Sequence, residues 1–342
     1  MGGGSELRQR HVVAALGVTQ VLAWGSSYYL PAVLAQPITR ATGWPLPWII
    51  GGLSLGLLVA GLCSPMVGQA IERTGGRPVL ASSSVLLGAG LVTLGLAPNL
   101  PIYLAAWLVI GVGMGAGLYD AAFATLGRLY GADGRAAITN LTLIAGFSST
   151  VCWPLSAFFV QSLGWRGTCL AYAGLHLLLA FPIHLRLVPR LPTARTCDDE
   201  GLGLARSQPP VAASRDRSIR FLLLATGLTL GTVIQSMMAV HLLTILQARG
   251  LDLAAAVGLG ALVGPAQVAA RVIEKLLGAR LHPIWTMLAS AVLLASGLGL
   301  LGGPGCRRPR SPLGSTAPGP ASSRSRAGPC PWLCSARRAM PR

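Results

Sequence analysis

The sequence predicts an all-α polytopic membrane protein, and three observations carry that reading. Of the residues, 52% are hydrophobic and only 11% charged, with mean hydropathy +0.61; a soluble domain carries about 25% charged residues. The apolar residues fall into runs close to the roughly 20 residues that cross hydrocarbon as a helix. Basic residues gather in alternate connections between those runs, the pattern that sets orientation in a bilayer.

Nine runs qualify, at about 12–35, 47–69, 78–98, 101–127, 136–161, 167–186, 219–247, 253–273 and 283–302. The first follows the charged "ELRQRH" but is too long for a signal-peptide core, and no small-x-small cleavage site follows, so it reads as a retained helix. Turns with Pro, Gly or Asn, such as "APNLP" at 97–101 and "YGADGR" at 130–135, separate the rest. The expected organisation is a six-helix N-terminal bundle (1–186), a polar loop (187–218), three helices of a C-terminal bundle (219–302), and a basic tail (303–342).

Charge placement orients the chain. Arg8 and Arg10, Arg73 and Arg77, Arg128 and Arg135, the long loop, and Lys275 with Arg280 fall on one side; Arg40, Arg166 and Arg249 fall on the other. The positive-inside rule then predicts a cytoplasmic N-terminus in a bacterial-type inner membrane. The net charge of +17 therefore reflects topology, and no nucleic-acid partner is expected. Of the seven cysteines, Cys63, Cys152 and Cys169 lie in apolar runs as small buried hydrophobes. No metal site or cofactor is expected.

"IERTGGRP" at 71–78 returns as "IEKLLGARLHP" at 273–283, with Glu72 answered by Glu274 and Arg73 by Lys275. Parallel repeats of this kind are a transporter design, with the substrate site between them.

The stretch "GQAIERTGGR", Gly68 to Arg77, resembles the loop 2–3 motif of the major facilitator superfamily. Gly68, Arg73, Gly75 and Arg77 match; Glu72 replaces the usual Asp, and Gly76 a frequent Arg. "GWR" at 164–166 closes the fifth run as in many of these transporters. The resemblance covers residues 10 to about 302. It implies a monomeric secondary transporter that moves a small solute by alternating access, proton- or exchange-coupled. It further implies that Glu72 meets a helix N-terminus from the second half, where the dipole favours an anion. Arg73 would reach an acid on helix 4, forming a latch; the plainer alternative is that these charges set topology alone.

Asp120 is the one acid inside a predicted span, expensive at that depth and therefore a functional candidate. It is either a proton carrier or the helix 4 partner of Arg73. Gln20, Trp24 and Tyr28 share one face of the first helix and suit a substrate cavity, or else an interfacial belt. Thr229, Thr232 and Ser236 form a weaker stripe on the seventh run, with Gln235 and His241 expected on other faces. Arg271, in "GPAQVAARVIEK", either holds an anionic substrate such as a carboxylate, as an arginine on helix 8 does in some relatives, or snorkels to headgroups. "GVGMGAG" at 111–117 has small-xxx-small spacing for close helix packing. Whether transport is uptake or efflux stays open at this level.

The tail carries eight Arg, eight Pro and no Asp, Glu or Lys in 40 residues, a composition expected of a GC-rich region read out of frame. The superfamily resemblance implies twelve spans, so helices 10–12 are expected to be missing. A native tail binding anionic lipid is the alternative. The rival functions are a non-transporting remnant, and an intramembrane enzyme, for which no catalytic cluster converges.

Overall fold

The computed structural model describes residues 3–190, 215–277 and 283–302. The tail, most of the 187–218 loop and the middle of the second repeat copy lie outside them. Every element among the described residues is helical. The chain forms two compact units, Met1–Ala291 and Val292–Arg342. The second contributes only the end of the last helix to the described residues; every other described helix belongs to the first.

The run expected at 12–35 is two helices, α1 (Gly3–Ser26) and α2 (Leu30–Thr42). Pro31 falls in the first turn of α2, where a missing N–H costs nothing, and the Tyr29 N–H returns to the Trp24 carbonyl at 3.0 Å. α3 (Leu46–Thr74) starts after the extended Pro45 and stops at Gly75, φ +85°, whose N–H reaches the Ile71 carbonyl at 2.9 Å. That one glycine is the whole turn into α4 (Gly76–Leu96). Asn99 caps α5 (Leu100–Gly117) by accepting the Ile102 N–H at 3.0 Å.

α6 (Tyr119–Tyr130), α7 (Gly134–Ala145), α8 (Ser148–Leu175) and α9 (Phe181–Leu187) follow, with one π turn, His176–Ala180, before α9. Then come α10 (Arg215–Ala248), α11 (Leu253–Ala261), α12 (Val263–Leu277) and α13 (Pro283–Gly302).

Six helical stretches of the described residues are long and apolar enough to cross a membrane, not nine. One of them, 134–187, runs 54 residues, roughly 80 Å as a straight helix, enough for two crossings. Gly164, at φ +70° and ψ 176°, interrupts it between the two expected runs. α13 holds only a short described apolar segment, Leu288–Gly297, and α1 opens on a polar turn.

Several expected runs break inside: before Leu30, at Leu118, at Gly146–Phe147 and at Leu262. Helix ends leave carbonyls without intrahelical partners, which hydrocarbon cannot satisfy. Side chains of neighbouring helices take that place. Gln20 Nε2 donates to the Gly117 carbonyl at 2.6 Å, Thr150 Oγ1 to Ala261 at 2.7 Å, and Trp153 Nε1 to Tyr29 at 3.3 Å.

Two apolar cores hold the helices, one around Trp107, Trp153, Tyr103 and Tyr172, the other around Leu16, Ile71, Leu80 and Leu126. The glycines of α5 permit close approaches to α3 and α4. A Cβ at Gly111 would stand 2.6 Å from the Gly56 carbonyl oxygen of α3, and one at Gly113 would stand 2.9 Å from Leu87 of α4. Along α3, Leu58, Leu62 and Met66 are 61%, 70% and 71% exposed, a stripe that suits hydrocarbon rather than water.

Candidate functional site

A cavity of about 850 Å³ opens between α1, α3, α6 and α10. Trp24, Tyr28 and Tyr119 form an aromatic wall, Leu53 and Val240 add apolar surface, and Ser54, Thr232, Gln235 and Ser236 supply polar groups. Tyr28 donates its hydroxyl hydrogen to Ser236 Oγ at 2.9 Å across 208 positions of chain. The indole N–H of Trp24 is held by Gln20 Oε1 at 3.2 Å.

The wall continues beyond the cavity. Trp24 meets Tyr119 at 4.8 Å between ring centroids, Tyr119 stacks on Phe123 at 5.1 Å and 15°, and Tyr28 meets Tyr29 edge-on at 5.2 Å. At its margin stands Arg271 of α12. Its Nη1 donates to the Thr142 carbonyl at 2.6 Å, and the guanidinium lies near the Tyr119 side chain. That bond leaves donors spare on a group that carries five.

Of the residues singled out in the sequence, Trp24, Tyr28, Thr232 and Ser236 line the cavity, and Arg271 lies outside its lining but near Tyr119 of its wall. Gln20 does not line it. That side chain is fully buried and bridges α5 to Trp24. Thr229, Gln235 and His241 all reach the cavity, although periodicity set the last two on other faces; the cavity wraps a wider arc of α10 than one stripe.

In the loop 2–3 motif, Gly75 is needed for its positive φ. Gly68 faces open space, whereas a Cβ on Gly76 would lie 2.0 Å from Thr125 Oγ1 of α6. The tight contact therefore belongs to the glycine that departs from the family pattern. Glu72 and Arg73 are exposed and Arg77 is half-buried. Asp120, in the first turn of α6, is exposed as well and does not pair with Arg73. The side chain that reaches the motif is Arg128, in the last turn of α6, whose Nη1 donates to the Ile71 carbonyl at 2.5 Å and also to that of Glu72.

Sequence reasoning missed two buried histidines. His184 shares hydrogen bonds with Ser84 (Nδ1, 2.9 Å) and Thr19 (Nε2, 3.0 Å), tying α9 to α4 and α1. His176 Nε2 lies 2.7 Å from Ser26 Oγ, and its Nδ1 is buried without a partner. The available signal was "HLLLAFPIH", two histidines eight apart in an apolar run. No group of three or more His, Cys, Asp or Glu gathers as a metal site among the described residues.

No curated protein sequence matches the chain closely enough to count as a relative. The sequence model of the Major Facilitator Superfamily matches residues 16–309, which include every residue named as lining the cavity. The chain belongs to the Major Facilitator Superfamily of membrane transporters, and is not an enzyme.

Proposed function

We propose that this protein is a secondary transporter of small organic anions, carboxylates among them, working by alternating access as a monomer. The observation that carries the reading is the nearness of Arg271 to Tyr119, a residue that lines the cavity of about 850 Å³, which sets a cation with spare donors beside that cavity. A planar guanidinium grips a carboxylate with two parallel bonds, and the hydrogen bond from Arg271 to the Thr142 carbonyl supports a role within the protein over one at the headgroups.

The wider proposal follows the charge pattern: a bacterial inner membrane, a cytoplasmic N-terminus, and six spans followed by three. Glu72, Arg73 and Arg77 serve a cytoplasmic gate with Gly75 as its hinge. Coupling runs through protons or exchange. Unpaired with Arg73, Asp120 is the candidate for taking up and releasing the proton.

The test is uptake of labelled carboxylates by membrane vesicles carrying the full chain. Arg271→Gln should lower uptake at least tenfold, and Arg271→Lys should lower it less, since a point charge replaces a fork. Wild-type kinetics in both variants at equal protein level would remove Arg271 from the site and the anion from the proposal.

A further inference from the structure

We infer that the anions this site takes are aryl carboxylates, an aromatic ring standing against the Trp24–Tyr28–Tyr119 wall with its carboxylate on Arg271. The inference rests on the proposed anion selectivity and adds the identity of the rest of the molecule.

Two of the wall's polar tips are already in use. The indole N–H of Trp24 is taken by Gln20, the Tyr28 hydroxyl hydrogen by Ser236, and the Tyr119 side chain lies near the Arg271 guanidinium. The donors of Trp24 and Tyr28 are engaged within the protein, so these two side chains offer a solute ring faces and edges. Such surfaces favour another ring, offset-stacked or edge-on at about 4.5–7 Å. The wall already shows that geometry within itself, at 5.2 Å and 72° for Trp24–Tyr28 and at 4.8 Å for Trp24–Tyr119.

Size points the same way. A cavity of about 850 Å³ is far larger than a two- or three-carbon acid, which would meet Arg271 and leave the wall uncovered. Ligand sites are mostly apolar and aromatic, with a few polar groups that fix orientation. Here the fixing group is the guanidinium, held by the Thr142 carbonyl and lying near Tyr119 of the wall.

Purified full-length protein titrated calorimetrically with four probes tests this: phenylacetate, acetate, cyclohexylacetate and the neutral isostere phenylacetamide. Phenylacetate should bind at least tenfold more tightly than acetate or phenylacetamide and several-fold more tightly than cyclohexylacetate. Trp24→Leu should erase the preference for phenyl over cyclohexyl, while Trp24→Phe keeps it; that split separates stacking from general damage to the fold. Equal affinity for acetate and phenylacetate overturns the aromatic inference and leaves the anion reading standing. Equal affinity for phenylacetate and phenylacetamide overturns the inference through the anion reading itself. Binding of none of the four overturns both.

Discussion

Gln20 holds two neighbours with one amide, donating to the Gly117 carbonyl and accepting from Trp24. A buried carbonyl left unpaired costs about 1–3 kcal/mol. Gln20→Leu should therefore lower the melting temperature in detergent and also weaken solute binding, because Trp24 loses its anchor; an unchanged melting point would show that water or another donor serves Gly117. The identity of such residues was legible in the sequence, but not their employment. Gln20, Trp24 and Tyr28 stand out at helical spacing, yet only the break at Leu118 explains why the first of them turns to a carbonyl. Gly76 teaches the same lesson. The family pattern favours Arg there, and nothing local reveals that Thr125 would collide with a side chain. Gly76→Val should abolish folded protein, with partial recovery in the double variant Gly76→Val/Thr125→Ala, as size-exclusion profiles would show.

Elements are joined here by side chains that finish other elements. Arg128 closes the end of α3, and Arg166 closes the end of α4 through the Gly95 and Ala97 carbonyls at 2.8 and 3.0 Å, each cation meeting the negative end of a helix dipole. Arg73 and Asp120 are not so joined. Arg73→Gln and Asp120→Asn should therefore combine additively, within about 0.5 kcal/mol when transport rates are converted to free energies. A strong interaction term would restore the latch pair expected from the motif. If Asp120 carries the proton, Asp120→Asn alone should flatten the pH profile of uptake. The histidine ties allow a third test. His184→Ala should loosen α1 from α4 and α9 and lower thermal stability, whereas His184→Gln, able to donate and accept, should recover much of it. The helical runs were legible because length and polarity are local properties. The breaks inside them were not, since a carbonyl freed at Leu118 or Leu262 is tolerable only where a partner helix brings a donor.

At the scale of the whole molecule, the cavity gathers side chains from α1, α3, α6 and α10, up to 208 positions apart. Composition announced a membrane protein, and one loop motif announced the superfamily. The wall itself was half-visible, as an aromatic stripe without its facing helix and an arginine without its tyrosine. Tertiary packing joins them, and periodicity along one helix cannot encode it. Everything proposed for transport depends on this cavity being where the solute binds, with Arg271 as its anchor. The direct measurement is the rate at which a small thiol reagent modifies Ser54→Cys, in a background with Cys63, Cys197, Cys306, Cys330 and Cys334 replaced by Ser, with and without the transported anion. Ser54 lines the cavity on α3, and the remaining described cysteines, Cys152 and Cys169, are buried. Saturating anion should slow modification several-fold, and Arg271→Gln should abolish the protection. Modification at the same rate with and without the anion, at concentrations that saturate uptake, would contradict a solute site in this cavity.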